Sequence, residues 1–381
     1  MKKLRTLVSK QRIWIASCLA IVVGLLVVSS LTVSPLKQSP VGIFSEQPAL
    51  QTEYLRATVV SIDAESSTVR YIDGPRAGTI ERVPIPALTT QSHREQPGDT
   101  IVVASGQQSN SVFDKWRLPQ LLLLIAVFFI AIVVIGRKKG IMGAVGLGIS
   151  IGIIGLYVVP RILDGAPSFW TIISAAYVIA IVSLYIAHGF HRRTTIALAA
   201  TLLVLSIVVA LAVFSGWFVG LTGSYDETTA LLSISSQSID MRGVLVGGMI
   251  IATLGVLDDI ITAQVAVVDQ LRKANPKLGV RELYKRGSAV GGEHIAALIN
   301  TLALAYVGVS LPVILSIVGN QYSYSIPVLF NGEFIAQEVT RTIVSSLGLL
   351  VAVPISTMLA AVALCHWSRI TAILKIRRRL N

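Results

Sequence analysis

The feature that most constrains this chain is a succession of apolar runs, each long enough to cross a bilayer. A helix rises about 1.5 Å per residue, so a hydrocarbon core of about 30 Å needs about 20 apolar residues. Eight stretches qualify, at about 13–33, 118–136, 140–160, 169–187, 194–219, 243–268, 288–310 and 341–365. Only 14% of the residues are charged, against about 25% in an ordinary soluble domain. The expected fold is therefore mainly α: a polytopic membrane helix bundle of about 8 transmembrane helices, carrying a small extracytoplasmic β-rich domain.

The formal net charge of +12 would suit nucleic acid if the basic residues shared one soluble surface. They cluster instead at the ends of apolar runs, which points to the lipid bilayer and away from nucleic acid. Placing the N-terminus inside makes 1–12, 137–139, 188–193, 269–287 and 366–381 cytoplasmic, and these pieces hold 21 of the 32 Lys and Arg. Arg161, Arg242 and Arg341 fall in short outer connections, and the other 8 lie in the long segment 34–117. Positive charge retained on the cytoplasmic side sets orientation through short loops, whereas long segments translocate regardless. Both termini should thus be cytoplasmic, with the seven-helix part at 118–365 and a basic tail at 366–381. Trp14, Trp116, Trp170, Trp217 and Trp367 all sit near expected helix ends, where indoles favour the interface.

Segment 34–117 changes character. After Pro35 and Pro40, short β-type runs at Thr58–Ile62, Thr68–Ile72 and Thr100–Val103 alternate with turns at Asp73-Gly74-Pro75 and Pro97-Gly98-Asp99. This pattern predicts a small barrel or meander outside the membrane. It has no metal-ligand spacing, nucleophile constellation or phosphate loop, so it reads as a docking module. The two cysteines, Cys18 and Cys365, lie in apolar runs and suit neither a disulfide framework nor a metal site. Cys18 precedes its apolar run rather than following it, so the first helix reads as uncleaved.

Ionisable groups within a bilayer cost at least a few kcal/mol and normally face the bundle interior or water. The run at 243–268 carries Asp258-Asp259, Thr262 and Gln264, with Asp269 just beyond, and the run at 288–310 carries Glu293-His294 and Asn300-Thr301. One short basic loop joins them, so their polar groups should meet at one depth. Gly248, Ala252, Gly255, Asp259, Thr262, Ala266 and Asp269 follow i+3 and i+4 steps and form one small and polar stripe. Small residues permit close helix approach, which predicts that Asp259 points into the bundle. Asp258, about 100° away, is flanked by Leu254, Ile261 and Val265. A buried hydrogen-bond network would account for Thr262, Gln264 and Asn300 alone. It accounts less well for two aspartates, a glutamate and a histidine at one level. Neighbouring carboxylates do not readily ionise together, so Asp258, Asp259, Glu293, His294 and Asn300 are the candidates for binding a proton or cation. No other cofactor is expected.

Several features have plainer readings. The glycines of 140–160, Gly148 and Gly152 among them, suit close helix packing; no strand precedes them as a nucleotide loop would need. His188 and His191 read as solvated boundary residues. Pro312 and Pro354 should kink their helices. Residues 319–340 read as an outer loop, with partial re-entry left open.

The stretch Gly255-Val256-Leu257-Asp258-Asp259, with Ala274-Asn275-Pro276, Glu293-His294-Ile295-Ala296, Asn300 to Gly308 and Ser310-Leu311-Pro312, resembles the YibE/F family of bacterial membrane proteins. The likeness covers the second to eighth spans and is strongest from 243 to 315. Where the family pattern has Asp before the His, this chain has Glu293. The resemblance implies a multi-pass protein of the bacterial plasma membrane and names no substrate.

Three readings remain. A permease for an unknown small solute or ion would use Asp259 and Glu293 as an alternately protonated pair. An intramembrane enzyme would need more: a Mg-dependent lipid-phosphate transferase lacks its companion Asp-rich and His-rich loops, and an aspartyl protease lacks a second Asp on another span. A scaffold or sensor would use the β module to bind a membrane partner or a second copy of the chain.

Overall fold

A computed structural model describes residues 53–63, 65–85, 95–106, 110–224, 239–319 and 326–377. The expected first span at 13–33, with Cys18 and Trp14, lies outside the described residues, as do residues 34–52 and 378–381. The described residues fall into two compact units, one within Pro35–Arg137 and one within Lys138–Asn381.

The first unit contains five antiparallel strands: β1 (Glu53–Ile62), β2 (Ser66–Tyr71), β3 (Ile80–Pro84), β4 (Thr100–Ser105) and β5 (Asn110–Lys115). They form one sheet in the order β3-β2-β1-β4-β5. Alternation explains the strands: Leu55, Ala57 and Val59 point inward from β1, and Val69 with Tyr71, Ile101 with Val103, Val83 and Val112 point inward from the others. Such period-two burial is what a sheet with one covered face requires. A bulge between Val59 and Ser61 and another between Val102 and Val103 curl the sheet. The two edge strands come close enough for Asn110 Nδ2 of β5 to donate to Glu81 Oε1 of β3 at 2.6 Å, so the sheet is a half-barrel. The expected strands at 58–62, 68–72 and 100–103 are present.

The helices are α1 (Leu118–Ile153), a π-turn at Ile154–Val158, α2 (Val159–Leu163), α3 (Ser168–His188), α4 (Arg192–Val219), α5 (Met241–Ala274), α6 (Val280–Gly319), α7 (Ile326–Asn331) and α8 (Glu333–Arg377). Six helical stretches among the described residues are long and apolar enough to cross a membrane. The expected spans 118–136 and 140–160 lie on one 46-residue stretch, Leu118–Leu163, about 69 Å if straight. That is about twice the hydrocarbon thickness. Its backbone leaves the helical region at Arg137 (φ 50, ψ −137), a left-handed φ that a side chain with a Cβ adopts only at a cost. The break falls at the first residue of the basic Arg137-Lys138-Lys139 connection.

Local chemistry fixes several ends. Asp240 caps α5 by accepting from the Gly243 amide at 3.0 Å, satisfying one of the open donors of the first turn. Gly220 ends α4 in the left-handed conformation (φ 76), where glycine alone carries no Cβ penalty. Helix α5 packs on α3, α4, α6 and α8 and is the central element of its unit. Small residues such as Ala176, Ala180, Ala197, Ala200, Ala352 and Ala360 are fully buried in this core.

Two boundary expectations need correction. Helix α5 continues to Ala274 and α6 begins at Val280, so the expected loop 269–287 is mostly helix. Helix α8 begins at Glu333, so the expected outer loop 319–340 contains α7 and two turns of α8. The low hydropathy of Glu333, Gln337, Glu338 and Arg341 hid that start, because charge argues against a span without arguing against a helix. Pro312 and Pro354 lie inside α6 and α8.

Candidate functional site

The central helix is not turned as the stripe of small residues suggested. Gly248, Ala252, Gly255 and Asp259 are exposed, and no atom of a described neighbour lies within 4 Å of where a Cβ would stand on Gly248 or Gly255. The face of α5 that packs is the large apolar one: Ile250, Leu254, Leu257, Ile261, Val265 and Val268 are buried. In lipid, leucine gains little by leaving the acyl chains, so apolarity and burial are uncoupled and small side chains alone do not choose the inner face. Gly148 and Gly152 are likewise without a close neighbour. Among the glycines that permit close approach are Gly243 against Phe169, Gly247 against Ile172, Gly287 against Thr357, Gly291 against Val353 and Gly348 against Val208.

This rotation exchanges the roles of the two aspartates. Asp258 faces the interior at the junction of α3, α4 and α5. Ser183 of α3 donates from Oγ to Asp258 Oδ2 at 3.2 Å. The Thr201 hydroxyl of α4 also acts on this carboxylate, yet neither Asp258 Oδ1 nor Thr201 Oγ1 has a hydrogen-bond partner. Thr201 is fully buried. An unsatisfied buried polar atom costs about 1–3 kcal/mol, so these two atoms are a feature in need of a reason. Because α5 runs to Ala274, Asp258 sits about 25 Å from either helix end. Ser183 lies five residues before the end of α3 and Thr201 nine after the start of α4, which puts the cluster nearer the α3–α4 turn.

Asp259 lies within electrostatic reach of His188 at that turn. On α6, Glu293, His294, Asn300 and Thr301 are all exposed; Thr301 Oγ1 donates to its own helix, to the Ala297 carbonyl at 2.9 Å. Among the described residues no hydrogen bond joins Asp259 to Glu293, and of the two aspartates it is Asp258 that is hydrogen-bonded across helices, by Ser183. Gln264 is buried and donates to the Gly287 carbonyl at 2.8 Å and to Thr357 Oγ1 at 2.7 Å, tying α5 to α6 and α8. Asp269 is buried and pairs with Lys273 at 2.7 Å. Thr262 Oγ1 is buried without a partner.

A second polar group occupies the first turns of α8. Glu333 accepts from the Thr222 and Gly223 amides at 2.6 and 2.8 Å, and Glu338 pairs with Arg341 at 2.6 Å. Ser183, Thr201 and this group carry no sequence signal: lone hydroxyls in apolar helices usually return to their own backbone. Among the described residues no group of three or more His, Cys, Asp or Glu side chains is placed to hold a metal ion.

Residues 124–366 match the family described as YibE/F-like protein. The chain belongs to the YibE/F family. The match begins inside α1 and ends at His366 in α8, so it covers the Asp258 cluster and the α8 group and leaves out the five β-strands. Comparison with curated proteins and with solved structures finds no match.

Proposed function

We propose that this YibE/F-family chain is a permease of the bacterial plasma membrane that couples movement of a small solute to a proton or cation handled at Asp258. In this reading about 8 helices span the bilayer, both termini are cytoplasmic, and residues 34–117 form an extracytoplasmic module, as the distribution of basic residues favours. The supporting observation is the half-satisfied carboxylate enclosed by α3, α4 and α5. A carboxylate within a membrane helix is costly unless it works. Packing could have filled this junction with an apolar side chain, as it does at Leu257 and Ile261 beside it. Asp259, near His188 at the α3–α4 turn, would then mark the entry from the cytoplasm.

The substrate is not needed for the test. Reconstituted protein on a solid-supported membrane should displace charge when proton or sodium concentration is stepped, and Asp258→Asn should abolish that displacement while Asp259→Asn reduces it. Unchanged displacement in Asp258→Asn would defeat the reading.

A second reading, a scaffold for a membrane partner, rests on α6. Its most apolar window is 6% buried, against 44–56% for α3, α4, α5 and α8, while Glu293, His294 and Asn300 face outward. Ionisable groups do not face acyl chains at low cost, so another helix would cover them: 13–33 of this chain, a second copy, or a different protein. Stoichiometric co-purification of a second membrane protein from native membranes would favour it; a pure monomer with full ion-step currents would remove it.

A further inference from the structure

We infer that Asp258, Ser183 and Thr201 form a binding site for one small dehydrated monovalent cation of sodium size. The inference rests on the reading of Asp258 as the coupling residue, and it names the ion. Four side-chain oxygens belong to the group: both carboxylate oxygens, Ser183 Oγ and Thr201 Oγ1. Their spacing is the first argument. A hydroxyl on a carboxylate normally closes to about 2.5–2.7 Å, whereas Ser183 stays at 3.2 Å. Sodium has nearly the radius of calcium, which takes oxygens at about 2.3–2.6 Å, so oxygens sharing such an ion at right angles stand about 3.2–3.7 Å apart. A bare proton holds two oxygens closer than that. The Ser183 separation suits a cation.

Charge is the second argument. The site contains one carboxylate and two neutral hydroxyls, so a single positive charge makes it neutral, and a divalent ion would leave an uncompensated charge among Leu254, Leu257 and Ile261. Burial is the third. Thr201 is fully enclosed and its Oγ1 is without a partner, so its lone pairs are available to an ion that has shed its water. Each of the three ligands comes from a different helix (α3, α4 and α5), so loading the site draws the three together, as a coupling ion must if it is to bias a conformational change.

The test is binding of ²²Na⁺ to the purified full-length protein in detergent at fixed pH, with choline as the replacement cation. Wild type should bind one sodium saturably, with calcium failing to compete. Thr201→Val and Ser183→Ala remove a ligand oxygen with little change of shape, and each should raise the half-saturating sodium concentration at least tenfold while leaving the elution profile and melting temperature in choline unaltered. Asp258→Asn should abolish binding; if it fails to fold, the two hydroxyl variants decide alone. Half-saturation unchanged in both hydroxyl variants would overturn the site. Absence of saturable sodium binding, with proton-step currents still dependent on Asp258, would overturn the cation and leave the permease reading standing. Sodium binding without any Asp258-dependent current would do the reverse.

Discussion

The two compact units solve opposite solvent problems. In the β unit, position in the strand predicts burial: the inward residues are apolar and nearly fully covered. Charges there meet in pairs at the surface, Arg56 with Asp73, Arg82 with Asp63 and Lys115 with Asp99. In the helical unit the relation is lost. Leu203, Phe214, Trp217 and Phe218 are exposed, while Gln264, Thr253, Asp258 and Gln337 are enclosed or nearly so. A soluble sheet is held by what water rejects; a membrane bundle is held by close approach and interhelical hydrogen bonds, because lipid rejects nothing apolar. Substitutions of one kind should therefore act differently in the two units.

The largest contrast concerns large-to-small changes. Ile101→Ala, at a fully covered position of β4, should cost the β unit about 2–5 kcal/mol. Hydrogen exchange on the full-length protein should show the β1, β2 and β4 amides opening faster while α3–α5 keep their protection. Loss of protection in both units together would show that they unfold as one, and the comparison would fail. The helical counterpart is small-to-large. Gly247→Leu drives a side chain into Ile172 and should cost about 1–3 kcal/mol. Gly248→Leu, one residue on, meets no described neighbour and should stay within about 0.5 kcal/mol. Thermal melting of the two variants in detergent checks this directly. Equal losses would mean that the outer stripe of α5 is covered by another helix.

How much of this could be read in the sequence follows the same division. The β strands were legible because Thr58–Ile62 and Thr68–Ile72 alternate, and alternation names a face in water. The helical spans were legible by length and hydropathy, and the family match agrees with the motif region around Asp258. Helix rotation was not. Gly248, Ala252, Gly255 and Asp259 looked like a packing stripe, yet the working pair lay one residue back, at Gly243 and Gly247, where the same i, i+4 spacing meets Phe169 and Ile172. Asp258 was visible as a candidate, but its partners were not, since Ser183 and Thr201 are separated from it by 75 and 57 positions and differ in no way from hydroxyls that merely bond their own helix. The α8 group was missed because charged residues beyond an apolar run end a span by composition while the helix itself continues.

A smaller contrast concerns hydrogen bonds. Gln264→Leu should cost about 0.6–1.7 kcal/mol, the range for interhelical bonds in membranes. A double-mutant cycle with Thr357→Val should recover part of that as coupling. Strict additivity would show that Gln264 is held by the Gly287 carbonyl alone.

The smallest effect is in the β unit and depends on pH. The Arg56 guanidinium holds the Asp73 carboxyl below its usual range, and the Lys115 ammonium does the same for Asp99. Such a group contributes stability that is fully present above its unfolded value of 3.8 and is lost as pH falls through the lower folded value. Glu95 runs the other way, because burial raises it above 4.5. Its ionisation therefore costs stability, and protonation on acidification relieves that cost. Stability of the β unit should thus rise slightly as pH falls through the Glu95 range, then decline below about 4 as Asp73 and Asp99 take up protons. Both pairs are largely exposed, so each is worth about 0.2–1 kcal/mol and weakens with salt. Asp99→Asn should flatten the acid limb and Glu95→Gln the rise before it, each read from hydrogen exchange of β4 and β5. The Asp269–Lys273 pair of α5 lies within its own helix, so the protection of α5 should not follow the Asp99 variant at any pH. If it did, the charge pairs of the β unit would be holding more of the molecule than their own sheet.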